Sequence, residues 1–159
     1  MHLRTFGIAA AAAALATTLA APAASASTHH ATLGERSLAA VLTSDGDQFD
    51  RNSYDYDIVT EAVLAVLDAK PSSLVGVLAD GSVPVTAFIP NDQAFRALVN
   101  DLTGQRLYKE SDIFAAVAGL GIDTVEAVLL YHVIPGATIT AAQAKAADGA
   151  TLQTALPDA

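Results

Sequence analysis

In residues 85–95, VTAFIPNDQAF, an apolar run from Val85 to Ile89 meets Pro90 and then Asn91-Asp92. Proline has no N–H to give to a ladder, and asparagine is a preferred helix N-cap, so a buried strand must end there and a helix must start. A second segment, LLYHVIPG at 129–136, reads as an apolar helix that runs into Tyr131-His132 and stops at Pro135-Gly136. Neither segment carries the residue pattern of catalysis. Both read as architecture.

The first 26 residues set the compartment. A short basic start (Arg4), an apolar Ala-rich stretch from Phe6 to about Ala21 and a small-residue exit at Ala24-Ser25-Ala26 form the pattern of a secretory signal peptide. The stretch is short and weakly apolar for a membrane span, which leaves an uncleaved anchor as the alternative. Ala21-Pro22-Ala23 is a competing cleavage site. Secretion, to the medium or the cell wall, is the expected location.

Cleavage after Ala26 leaves 133 of the 159 residues, enough for one core and too few for two. Residues 27–35 are expected as a flexible mature N-terminus and 36–159 as the domain. Beyond the signal stretch no apolar run is long enough to cross a membrane. The mature part holds seven basic and all seventeen acidic residues, a formal balance of −10, which disfavours nucleic acid and anionic membranes as partners. Cysteine is absent, which excludes a disulfide framework, a thiol nucleophile and a thiol-linked lipid anchor. The Ala-rich composition, with three Lys against five Arg, suggests a bacterial genome rich in G and C.

Along the chain, Ser37 caps a short helix carrying Leu38, Val41 and Leu42. Residues 45–57 form a polar loop with Phe49, Tyr54 and Tyr56. Asp57 is expected to cap the next helix, whose face Ile58, Ala62, Val66 and Val59, Val63, Leu67 repeats at i, i+4 until Pro71. Residues 72–80 read as helical and 81–84 as a turn into the strand. After it, Asn91 caps a helix with Phe95, Leu98, Val99 and Leu102 inward, and Asp92 suits its positive end. Residues 103–110 read as a loop. Ser111 opens a helix stopped by Gly119 or Gly121, and Asp123 with Glu126 makes an acidic capping box. Thr140 with Gln143 makes a second box, Gly149 fits a helix C-terminus, and ATLQTAL alternates like one strand.

This order of elements, with the two segments, resembles the fasciclin-like adhesion domain over about residues 36–156. Its first patch has the form T-V-F-A-P-T-N-D-A-F. Thr86, Phe88, Pro90, Ala94 and Phe95 match it, whereas Ala87, Ile89, Asn91, Asp92 and Gln93 depart while keeping the strand-cap-helix order. Its second has the form L-x-Y-H-V-hydrophobic-P-G, and Leu129, Tyr131, His132, Val133, Pro135 and Gly136 all match. The resemblance implies an α+β fold, a wedge of β-sheets with a helical layer, used outside the cell for adhesion and without enzymatic activity. It also implies further strands ending in N-G-x-x-H-x-I-D-x-V-L-x-P, which do not occur before Ala159, so the domain is expected to be incomplete at its C-terminus.

Catalysis finds little support in the residues. His29 and His30 fall in the expected tail, no G-x-S-x-G elbow exists, and Ser82 in DGSVP lacks the flanking glycines. For metals, Asp45, Asp47, Asp50, Asp55 and Asp57 are dense, but Gln48-Phe49-Asp50 breaks the calcium-loop pattern, and a solvated loop with one helix cap accounts for them. Neither cofactor nor metal is expected. Tyr131 and His132 are the candidate binding residues by the family resemblance. Read from spacing alone, His132 continues the stripe Val125, Val128, Leu129 as a hydrogen-bonded core histidine. Phe88, Phe95 and Phe114 read as core. The expected function is non-enzymatic adhesion to an extracellular protein or polysaccharide. The alternative is a secreted carrier of a small ligand or polysaccharide, using an apolar pocket between sheet and helices.

Overall fold

Six α-helices and one two-stranded sheet make up the computed structural model, which describes residues 36–46 and 48–157. The expected signal peptide and flexible N-terminus lie outside the described residues. Helix α1, Leu38–Leu42, starts where Ser37 Oγ accepts the Ala40 N–H at 3.1 Å, and a 3₁₀ turn, Thr43–Asp45, follows it. Helix α2, Asp57–Ala69, is the centre of the core. Ile58, Val59, Ala62, Val63 and Val66 are all buried, and α1, α3, α4 and α5 pack around it.

The segment expected as a helix at 72–80 is a 3₁₀ helix, Leu74–Ala79, opened by Ser73 Oγ on the Val75 N–H. Its buried residues, Val75 and Leu78, are three apart, which matches the three-residue repeat of that tighter helix. Strand β1 spans Val85–Ala87 and pairs antiparallel with β2, Val133–Pro135, placing Val85 opposite Pro135 and Ala87 opposite Val133. The ladder gains one bond beyond each end, Phe88 N–H to His132 O (3.0 Å) and Gly136 N–H to Pro84 O (2.8 Å). Thr86 then fixes the chain after β2: its Oγ1 donates to Ala137 O and accepts from the Ile139 N–H.

Helix α3, Asp92–Thr103, begins as expected, with Asn91 Oδ1 accepting the Ala94 N–H at 3.0 Å. It ends at Gly104, whose φ of +70° is a left-handed conformation that favours glycine. Helices α4, Glu110–Ala118, and α5, Ile122–Tyr131, follow. Helix α6, Ala141–Ala146, carries the complete Thr140/Gln143 capping box. The result is an α+β fold in which helices supply nearly all of the core.

Several expectations are corrected. The strand is shorter than Val85 to Ile89 and only partly buried, and Phe88 just after it is 48% exposed rather than core. The α5 helix ends at Tyr131 as its pattern predicts, but Val133-Ile134-Pro135, read only as the run to a stop, forms β2; β-branched residues suit a strand, and Pro135 lies at its end where its missing N–H costs least. Residues 150–156 form no strand and contribute one ladder-like bond, Ala155 N–H to Val133 O at 2.7 Å. Asp57 is the first residue of α2, not its cap. Asp123 and Glu126 do not cap α5, which starts after Gly121; both carboxylates instead hold the Lys70 ammonium at the end of α2, Glu126 at 2.5 Å. On α3, Phe95 and Val99 are buried, whereas Leu98 and Leu102 face outward.

Candidate functional site

Tyr131 and His132 sit where α5 gives way to β2, and the backbone there is held from both sides. His132 caps α5 (φ −91°, ψ 1°), its N–H donates to Leu129 O at 3.1 Å, and its carbonyl accepts from Phe88. The ring Nδ1 lies 2.7 Å from Val128 O. A carbonyl only accepts, so Nδ1 carries the hydrogen and Nε2 of the neutral ring is left as an acceptor. The Tyr131 and His132 rings meet edge-on, 5.8 Å apart. His132 is half-buried rather than fully inward, and Tyr131 is 58% exposed.

The pair divides two concavities. On one side His132 contributes to the wall of an apolar cavity of about 290 Å³ between α2, α3, α4 and α5. Val63, Phe95 and Val125 line its depth, and the exposed Leu98, Leu120 and Val128 form its lip. On the other side Tyr131 opens onto a shallower groove of about 360 Å³ with Phe88, Ile134 and Leu152. Sequence reasoning missed Phe88 and Leu152 here. It assigned Phe88 to the core by period, yet β1 ends at Ala87 and only the Phe88 N–H still bonds across to His132, so alternation no longer fixes the side its ring takes.

A second concentration of chemistry lies at the N-terminal ends of α2, α3 and α4. Asp92 Oδ1 accepts the Ile58 N–H at 3.0 Å, so the residue that opens α3 caps α2 across 34 positions of sequence. Its own N–H donates to Asp55 O, and the Gln93 N–H donates to Ser53 O at 2.8 Å, docking the 52–56 loop on α3. Glu110 Oε2 accepts the Asp50 N–H at 2.6 Å. The carboxylates of Asp55, Asp92 and Glu110 converge within 4.8 Å. Burial pushes the Asp92 carboxyl up to about 7; the Ile58 hydrogen bond opposes this, and Asp55 and Glu110 add to it. Burial likewise raises Glu110. A proton held on Asp92 supplies the donor for a hydrogen bond to Asp55 that two ionised carboxylates lack. No local pattern in the sequence signals this trio: Glu110 falls at the end of a presumptive loop, and its partners lie 18 and 55 positions away.

Of the other aspartates weighed in the loop, Asp50 Oδ1 accepts the Asn52 N–H, an ordinary Asx turn, and Asp57 is buried at the start of α2. Ser82 is exposed, with its hydroxyl donating to Asp80 Oδ1 at 2.6 Å. His29 and His30 lie outside the described residues. No single helix among the described residues is long and apolar enough to cross a membrane.

A small α+β unit with an aromatic-histidine junction between helix and strand is the class of structure that the geometry defines. The Fasciclin domain family matches residues 60–158, more than half of the chain, and the chain belongs to that family. No curated protein and no solved structure matches it. Fasciclin domains are binding modules, generally without catalysis.

Proposed function

We propose that this domain is an exported, non-enzymatic adhesion module that holds an extracellular protein or polysaccharide through the face around Tyr131. The observation that carries this reading is the cluster of Tyr131, Phe88 and Leu152, three large side chains left 58%, 48% and 40% exposed around one groove. Exposed aromatic side chains are costly to leave in water and are favoured anchors in interfaces. The test is retention on surfaces coated with extracellular proteins or polysaccharides. Tyr131→Ala and Phe88→Ser are expected to abolish retention with melting temperatures unchanged, and full retention by both variants overturns the reading. Export is tested by the intact mass of secreted protein, expected to begin at Ser27; a secreted species that keeps Met1 contradicts it.

The apolar cavity beside His132 favours a second reading, a carrier of a small apolar ligand. Its volume sits near the lower end of small-molecule sites, and its wall is almost wholly hydrocarbon with His132 Nε2 available as an acceptor. A carrier is expected to release a bound small molecule on denaturation, detectable by mass spectrometry. A chain that purifies empty and takes up no apolar dye removes this reading and leaves adhesion.

A further inference from the structure

Among the described residues, the trio at the junction of α2, α3 and α4 has more acceptor oxygens than donors that reach them. Asp92 is 0% exposed and Glu110 is 1% exposed, and each uses one oxygen on a backbone N–H. Among the described residues no N–H or O–H group reaches the other oxygens, Asp92 Oδ2 and Glu110 Oε1, or Asp55 Oδ1 between them; a proton held on Asp92 can serve the Asp92–Asp55 contact, and Glu110 Oε1 is still left without a donor. Buried carboxylate oxygens in this condition are rare because desolvation leaves their charge uncompensated. Among the described residues the ion pairs are those of Lys70, so no base contacts the trio. Arg96 acts on Glu110 only from a distance, and its own Nε is unpartnered.

We propose that Asp55, Asp92 and Glu110 form a binding site for a hard divalent cation of the calcium type, which ties the 50–57 loop to the starts of α2, α3 and α4. One carboxylate oxygen from each residue lies within 4.8 Å of the others. Three such atoms share a point no more than about 2.8 Å from each, a few tenths of an ångström outside calcium–oxygen contact of ~2.3–2.6 Å. The donors are all oxygen, with neither histidine nor cysteine, which selects calcium, magnesium or manganese over zinc or copper. A divalent ion that displaces the proton from Asp92 meets three ionised carboxylates, offset in part by Arg96, whose local charge of about −2 it neutralises. A polar cleft lined by Gln48, Asp50, Asn52 and Asp55 brings solvent to the trio at Asp55. The two backbone N–H bonds to Asp92 and Glu110 hold these ligands in place, so the site is organised before the ion arrives.

The neighbouring group Asp50, Asp55 and Asp57 is the competing location. It is less favoured because Asp50 is exposed and already accepts the Asn52 N–H.

The test uses the full chain, stripped with chelator and titrated with Ca²⁺ alone by calorimetry, then melted with and without Ca²⁺. Wild type is expected to bind one ion and to melt at higher temperature with it. Asp55→Asn, which removes charge while keeping a carbonyl oxygen to accept from Asp92, is expected to weaken binding at least tenfold, as is Glu110→Gln. Asp68→Asn, on the exposed side of α2, is expected to bind as wild type does. Asp92→Asn keeps an acceptor for Ile58 and serves as a third, folded variant. Three results overturn the proposal: no heat and no melting shift with Ca²⁺, Mg²⁺ or Mn²⁺; unchanged affinity in Asp55→Asn and Glu110→Gln; or loss of binding in Asp50→Asn and Asp57→Asn with Asp92→Asn and Glu110→Gln unaffected. A cation-free cluster that only shares protons gives the first of these, with the amide variants melting above wild type.

Discussion

Asp92 performs two tasks whose demands conflict. Its Oδ1 must accept from Ile58, while burial beside Asp55 and Glu110 pushes its carboxyl from an ordinary value near 3.8 up to about 7. In cation-free protein the folded state therefore keeps this proton after the unfolded state has lost it. The stabilisation from proton retention is complete below about pH 4, the unfolded value, and fades as pH rises toward 7. Melts by circular dichroism in chelating buffer between pH 4.5 and 7.5 are expected to show wild type losing stability relative to Asp92→Asn as pH rises. A constant gap between the two proteins contradicts the shift. At His132 the balance is smaller. His132→Ala removes the partner of Val128 O near the solvent and is expected to cost about 1 kcal/mol, whereas Tyr131→Ala is expected to stay within about 0.5 kcal/mol in urea titrations. Cap residues at Ser37, Asn91 and Thr140 were legible because donor and acceptor lie within three positions. Asp57 and Asp123 were misread because a cap or an ion pair drawn from another element leaves no trace in local spacing.

At the scale of elements, α6 depends almost entirely on its own chain. None of its residues is fully buried, and its start is held by the reciprocal bonds of Thr140 and Gln143. Short helices of this kind are marginal without a cap. Thr140→Ala is expected to cost the helix about 1 kcal/mol. Hydrogen exchange should speed up across 141–147 with the melting temperature little changed, and a large global loss would show that α6 is part of the core after all. The opposite case is 129–136, where the apolar run continues across an element boundary. Leu129 and Leu130 are buried on α5 and Val133 and Ile134 on β2, so hydrophobicity is uninterrupted while the backbone changes from helix to strand. A periodicity argument sees one element there. Pairing with Val85–Ala87, 46 to 50 positions earlier, makes it two.

Across the whole molecule, stability is expected to track contact with α2 rather than hydrophobicity. Ile58→Ala removes a side chain with no exposure at the first turn of α2 and is expected to cost about 2–5 kcal/mol. Leu102→Ala, on the inward stripe expected for α3 but 60% exposed in the fold, is expected to change stability by no more than about 0.5 kcal/mol in the same denaturant titration. Equal costs would restore the sequence-based stripe. The amino-acid sequence by itself determined the family, the α+β class, the order of helices and the strand-cap-helix turn at Pro90-Asn91. The helices and the turn depend on a period of 3.6, on proline's missing N–H and on caps, all of which act within a few residues, whereas the family, and with it the α+β class, came from the resemblance carried by the segments at 85–95 and 129–136. Only the tertiary structure decided that Phe88 faces solvent beside Tyr131, that His132 borders an apolar cavity, and that carboxylates from positions 55, 92 and 110 share one buried junction. Burial and charge convergence are set by which elements meet, and contacts between distant segments carry no local pattern from which to read them.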